Sequence, residues 1–317
     1  MDKFLIDRIQ TTIDNYRLAK EALRNDGDII NHYASLVFSH YEREIPVARV
    51  KEIRKYIKAT TPRLSPFRGD ALNIISLMIA VIDRDNQEEF IEDMYDTMEI
   101  LEEEGFISGS YLALTAFTIS KYSRVKEKRE LVKEIKEVYT LLKEKYSNIT
   151  NEDDYLLCAL WVINNIGADT VDDFIENIFE HIADSNIRSK NGVQSLANAI
   201  ILNGSSGEMY RSMQFILELQ KRNIKIANQF LPLVGVLSNH NPRRNVDIVE
   251  GVIEYLCDEE GEYEYYMDKG FRTIIAIVIV SFCTMSNKKR YLDELLAQGI
   301  FSFINSKNKG IFEEVVY

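Results

Sequence analysis

A short, almost wholly apolar segment recurs along this chain about every forty residues, and recurrence at a fixed period constrains architecture more than any local motif. The segments run Ala71 to Ile82, Tyr111 to Tyr122, Tyr155 to Ile166, Val193 to Leu202, Phe230 to Leu237 and Phe271 to Phe282. Leu72, Leu112 and Leu156 are separated by 40 and 44 residues, and Phe230 and Phe271 by 41. After each comes a turn of charged residues, Asn, Gly or Ser, and then a more charged segment with apolar residues three or four apart. Phe90, Met94, Met98 and Leu101 form one such stripe, Phe174, Ile178 and Ile182 another, and Val249, Ile253 and Leu256 a third. That spacing places one apolar face on each helix. The expected fold is therefore all-α, with about six tandem helical hairpins forming an α/α solenoid or a closed α/α ring. Apolar helices would make the inner layer and amphipathic ones the outer layer.

Before the repeats, helices are expected over Lys3 to Arg24, Asp28 to Glu42 and Pro46 to Lys58, with Pro46 tolerated in a first helical turn. Thr60 to Gly69, carrying Pro62 and Pro66, reads as a linker. The organisation is thus an N-terminal helical segment (1–60), a hairpin repeat region (61–287) and a C-terminal capping segment (288–317) with a final short helix and a mixed tail. Thr150 and Asp153 fit a capping box, Ser108 or Ser110 can cap the helix entering at Tyr111, and Gly105 suits a left-handed helix stop. Pro242 is expected to end the helix containing Val236. The run Ile274 to Met285 is rich in β-branched residues and would suit a strand elsewhere, but its place in the period makes it an inner helix.

A net charge of -12 repels polyanions, so binding to nucleic acid without sequence preference is disfavoured. From Lys121 to Lys145 nine Lys or Arg stand against five Glu, and this basic stretch reads as a solvated helix face laced with opposite charges at turn spacing. Cys158, Cys257 and Cys283 form no Cys-x-x-Cys pair and read as reduced packing residues. His32, His40, His181 and His240 lack zinc spacing, and no Gly-rich phosphate loop or Gly-x-Ser-x-Gly occurs, so no metal or cofactor is expected. The turn Gly204-Ser205-Ser206-Gly207 reads as flexible. Asp2, Asp7 and Asp14 interrupt the first helix, which argues against a signal peptide. Ile274 to Met285 is too short to span a bilayer, so a cytoplasmic chain without membrane contact is expected.

The foremost chemical candidate is the cluster Glu152, Asp153 and Asp154, since adjacent carboxylates can bind a divalent cation or act as acid and base, although acids in a first turn also serve the helix dipole. If apolar helices form the inner layer, their starts bring Arg68, Ser108, Tyr111, Asp153, Asp154, Tyr155 and Asn191 toward one rim. Arg68 could grip a carboxylate or phosphate with its fork, or pair internally with an acid such as Asp154. The acidic, tyrosine-rich segment from Asp258 to Asp268 is either a surface for a basic peptide or sugar, or a hydrated loop with one or two anchored tyrosines.

Five stretches carry a resemblance. They are Ser65-Pro66-Phe67-Arg68-Gly69, Gly105-Phe106 with Ser110-Tyr111-Leu112-Ala113-Leu114, Ile149-Thr150-Asn151-Glu152-Asp153-Asp154-Tyr155, Val193-Gln194-Ser195-Leu196 and Leu231-Pro232-Leu233-Val234-Gly235. In order and spacing, over Met1 to Phe303, the chain resembles the uncharacterised, mainly Firmicute family known as domain of unknown function 4003. Leu64 and Val193 depart from the family's pattern. The resemblance implies a helical cytoplasmic protein of about this length and transfers no activity, cofactor or catalytic residue. Two readings of function follow: a helical-repeat binding or scaffolding protein with a protein or small-molecule partner, or an α/α-ring enzyme using rim carboxylates in a hydrolase-like reaction.

Overall fold

The computed structural model describes residues 1–82, 86–122, 128–183, 187, 189–203, 206–237, 241–284 and 291–310. Among them the regular elements are all helical. In chain order the helices are α1 Lys3–Ala22, α2 Asp28–His40, α3 Val47–Thr60, α4 Asp70–Val81, α5 Gln87–Glu103, α6 Ser110–Tyr122, α7 Lys128–Lys145 and α8 Tyr155–Ile163. They continue as α9 Ala168–Ala183, α10 Lys190–Asn203, α11 Ser206–Lys221, α12 Leu231–Leu237, α13 Pro242–Glu259, α14 Gly261–Tyr265, α15 Lys269–Thr284 and α16 Leu292–Asn308. All six recurrent apolar segments are helices. His240, Gly204, Ser205, Lys288 and the tail after Gly310 lie outside the described residues. No described helix is long and apolar enough to cross a membrane. The chain divides into two compact units, residues 46–176 and residues 1–45 with 177–317.

In the unit of residues 46–176, α4, α6 and α8 pack side by side in one layer while α3, α5 and α7 line up in a second. Each second-layer helix packs on the first-layer helix that follows it: α3 on α4, α5 on α6, α7 on α8. The close hairpin is therefore amphipathic helix then apolar helix, the reverse of the order in which the sequence period was read. The turn between α5 and α6 shows why. Gly105 adopts φ 81°, a left-handed stop, and the Phe106 amide donates back to the Leu101 carbonyl at 3.1 Å. Phe106 is then buried against Tyr139 and Tyr155, which folds α6 back onto α5. Sides match layers: Leu112 through Ser120 of α6 are buried without a break, whereas α5 buries only the stripe Phe90, Ile91, Met94, Thr97, Met98 and Leu101. Each fully buried large apolar side chain contributes about 1.5–3 kcal/mol, so the first layer supplies most of the hydrophobic stabilisation.

One basic residue of this unit departs from the solvated face expected of Lys121 to Lys145. Lys128 is only 3% exposed. Its ammonium donates to Asp93 Oδ1 and Thr97 Oγ1, each at 2.6 Å, and to the Asp93 carbonyl at 3.2 Å, so all three protons are used. The start of α7 is thereby fastened to α5. Arg129, Lys133 and Lys143 on the same helix are exposed, as expected.

In the other unit α1 and α2 form an antiparallel hairpin. Asn15 donates to the Arg43 carbonyl and Ser39 Oγ, and Arg8 to the Ser39 carbonyl and the Glu42 carboxylate. This hairpin packs on α15, and α2 also on α16, so the first two helices share a core with the last two. Ten consecutive residues of α2, Ile30 to Ser39, are buried. His32 lies in the aromatic interior, stacked on Tyr16 at 3.8 Å between centroids and 8° between planes, with Tyr263 and Phe271 at 5.3 and 6.0 Å. Phe303 of α16 continues the cluster to Phe230 and Phe271. The C-terminal helix is longer than the short one expected, with 17 residues and an unbroken buried run from Leu292 to Ile300. Pro242 also differs from expectation. It occupies the first turn of α13, after the N-cap Asn241 whose side chain accepts from the Arg244 amide, because a missing amide costs nothing there. On α12, Gly235 meets α10 so closely that a Cβ would stand 2.9 Å from Ala199 Cβ and 3.2 Å from the Leu196 carbonyl oxygen.

Candidate functional site

The entrance to α8 gathers most of the residues that the sequence singles out. Thr150 Oγ1 donates to the Leu142 carbonyl at the end of α7. With that hydroxyl engaged upstream, the capping box falls one residue later than read from the sequence. Asn151 and Asp154 cap reciprocally across the turn 152–154, the Asn151 amide donating to Asp154 Oδ2 at 3.1 Å. Asp154 is buried and Asp153 is half-buried. Burial, reinforced by the neighbouring Glu152 charge, pushes the Asp153 carboxyl above the usual carboxylate range.

Next to these acids Tyr155 is buried among rings, with Tyr139 at 4.8 Å and Phe106 at 5.0 Å between centroids. Its hydroxyl accepts from the Ile107 amide at 3.3 Å and shares a hydrogen bond with Tyr139. Both phenols are pushed up, chiefly by burial, so they are neutral donors at physiological pH. Tyr111 is half-buried on the first turn of α6, and that end of α6 packs on the 152–154 turn. Ser110 Oγ donates to the Pro66 carbonyl at 3.3 Å, which brings the loop before α4 to the same end of α6.

Arg68 does something other than pair with Asp154. Its guanidinium donates to the carbonyls of Lys58, Thr61 and Pro62 and so satisfies the end of α3, where free carbonyls and the helix dipole attract a cation. Of the seven proposed rim residues, Tyr111, Asp154 and Tyr155 belong to the junction of α6 and α8, Asp153 flanks it, Arg68 occupies the adjoining loop, and Ser108 is exposed in the loop before α6. Asn191 is half-buried on the first turn of α10, in the other unit. Among the described residues no group of three or more His, Cys, Asp or Glu could hold a metal ion. Cys158 is buried and its thiol is pushed up, again by burial, which keeps it protonated and unreactive.

The unit containing both chain ends holds two further constellations. At the end of α2, His40 Nδ1 lies 3.0 Å from Asp293 Oδ1 while Tyr41 donates to Oδ2 at 2.6 Å, so one buried carboxylate holds two side chains. The His40 ring stacks on Phe282 at 4.7 Å and 6°. Sequence spacing could not pair residues 253 positions apart, and the available signal is the acid pair Asp293-Glu294 inside an otherwise apolar helix.

The second lies on the acidic, tyrosine-rich segment. Tyr263 is fully buried against Tyr16 and His32 and anchors the segment. Glu262 accepts from Tyr16 and Lys20, and Glu260 accepts from Arg17 at 2.7 Å. The hydrogen bonds from Lys20 and Tyr16 hold the Glu262 carboxyl below its ordinary range. Tyr265 and Tyr266 are 73% and 86% exposed. The anchored tyrosine and the exposed pair were both latent in the sequence, but only the fold separates them.

Neither a curated protein nor a solved structure matches the chain. A family profile matches residues 15–309, nearly the whole length, and the chain belongs to that family, described as a protein of unknown function, DUF4003.

Proposed function

We propose that this chain is a cytoplasmic helical-repeat binding or scaffolding protein, its hairpins stacked as a solenoid or closed into a ring. The observation that carries this reading is the pairing of a fully buried helical layer with a second layer whose helices each keep a solvated face, as in α5, where Glu92, Asp96 and Glu99 are exposed. Stacking of that kind spends the apolar faces on one continuous core and leaves an extended outer surface for a partner. Photo-crosslinking groups placed at Asp96 and Arg129 of the full-length protein test it in cells. A discrete protein adduct is the expected result, and reaction with solvent alone at every outer-helix position would defeat the reading.

One observation favours a second reading, an α/α-ring hydrolase. Asp153 is a half-buried carboxyl pushed above its ordinary range by burial and by the neighbouring Glu152 charge, and a raised carboxyl beside a second one is what a hydrolase of this kind requires. Turnover of aryl glycosides that disappears in Asp153→Asn, with unfolding unchanged, would support this alternative. Equal turnover in the variant would remove it.

A further inference from the structure

We infer that Tyr265 and Tyr266, with the acids around them, form a docking surface for an arginine-rich segment of a partner protein. The inference rests on the binding reading above and adds the place and the partner's chemistry.

The segment Asp258 to Asp268 contains six acids and no base. The fold uses three of them internally: Glu260 is paired with Arg17, Glu262 with Lys20, and Asp268 accepts from the Phe271 amide at the start of α15. Asp258, Glu259 and Glu264 are exposed, as is Glu254 one turn before Asp258 on α13. Acids left over after internal pairing set up a local negative field on a chain already at -12, which steers a cationic partner inward.

The tyrosines turn a field into a surface. Tyr263 and Tyr265, two residues apart on α14, face opposite sides of it: burial of Tyr263 pins the backbone, and Tyr265 and the following Tyr266 stand out at its end. Two adjacent rings, both largely in water, are costly to leave uncovered and carry large contact area with only two side-chain torsions each. Tyr265 bonds Glu264 through its hydroxyl, which holds a carboxylate at the hydroxyl edge of an exposed ring. A guanidinium matches both parts at once, stacking its plane on the phenol and directing its N–H fork to the carboxylate. An ammonium offers only the charge. An acidic or neutral partner is opposed by the field, and the cation–π geometry selects arginine over lysine.

The test is a fluorescence anisotropy titration of the full-length protein with labelled octa-arginine, octa-lysine and octa-glutamate peptides. Octa-arginine is expected to bind, with an affinity that falls as salt rises and exceeds that of octa-lysine. The double variant Tyr265→Ala, Tyr266→Ala is expected to weaken octa-arginine binding about tenfold and to reduce its advantage over octa-lysine. Because both side chains are exposed, circular dichroism of the variant should match the parent. Equal binding by parent and variant would overturn this surface while leaving the binding reading intact. Failure of octa-arginine to bind the parent would overturn the inference too, with crosslinking from the outer helices deciding the fate of the broader reading. A dimer that dissociates in the tyrosine variant would make the occupant a second copy of the chain, and would equally overturn the arginine-rich partner.

Discussion

Mild acid should destabilise the unit containing both chain ends through a single side chain, His32. Its ring is almost completely buried between Tyr16 and Tyr263, Nδ1 has no hydrogen-bond partner, and the ammonium of Lys20 adds repulsion. Burial therefore pulls its pKa from the ordinary 6.5 down to about 3. The unfolded chain takes up this proton below pH 6.5 and the folded chain refuses it until about pH 3, so the unfolded state binds more protons throughout that window. Stability must then fall as pH falls. Between pH 7 and pH 5 the linkage integral for these two pKa values is about 2 kcal/mol, and for a unit of this size that lowers Tm by about 4–8 °C. His32→Phe keeps the stacked ring, removes the titrating group and relieves the partnerless nitrogen. Urea denaturation of parent and variant at pH 7 and pH 5 isolates the effect, because contributions from other histidines cancel in the difference. The reasoning is refuted if the variant loses as much stability as the parent over this range, or if the parent loses none.

Removing the buried cation by Lys128→Met should cost about 2–4 kcal/mol, since it takes the cation from the Asp93 carboxylate; a lower urea midpoint for residues 46–176, read by hydrogen exchange in α5 and α7, checks this. Gly235→Val should cost about 1–3 kcal/mol by forcing α12 away from Ala199 and the Leu196 carbonyl, and an unchanged thermal midpoint would show that the contact can relax freely. Asp154→Ala, which leaves the Asn151 amide without its acceptor, should cost about 0.5–2 kcal/mol, whereas Asp153→Ala should cost less by the same denaturation assay.

Periodic burial was the legible part of this fold. Leu72, Leu112 and Leu156 mark first-layer helices because an inner helix needs apolar residues on every side, and that demand is written locally. Even Ile274 to Thr284, whose β-branched content suits a strand, became α15 because buried packing decides conformation where propensity is weak. What was not legible depends on partners remote in sequence. Thr150 and Asn151 are both good caps, and the choice between them was made by the Leu142 carbonyl. Arg68 was readable as an internal cation but not as the terminus of α3, since only the folded loop brings three carbonyls to it. Lys128 looked like its solvated neighbours because Asp93, Thr97 and Ser120 approach it from another hairpin. The nearness of Tyr111, Asp154 and Tyr155 at the α6 and α8 junction followed from the period, Asn191 fell in the other unit, and the Asp293 link to His40 left no local trace.

The hairpin of α1 and α2 seated against α15 and α16 gives this chain a discontinuous order of assembly. Residues 46–176 are contiguous, so their core can close as soon as that stretch has been synthesised. The hairpin of α1 and α2 must wait for α15 and α16, which are synthesised after it. Until then Leu5, Ile9, Ile13 and Tyr16 have only α2 to cover them, and the apolar face they share stays open to water or to a chaperone. Joining the two pairs is a long-range closure whose entropy must be lost before any of its contacts form. A lesion in α16 would be felt first at α2, far away in sequence and adjacent in the folded protein.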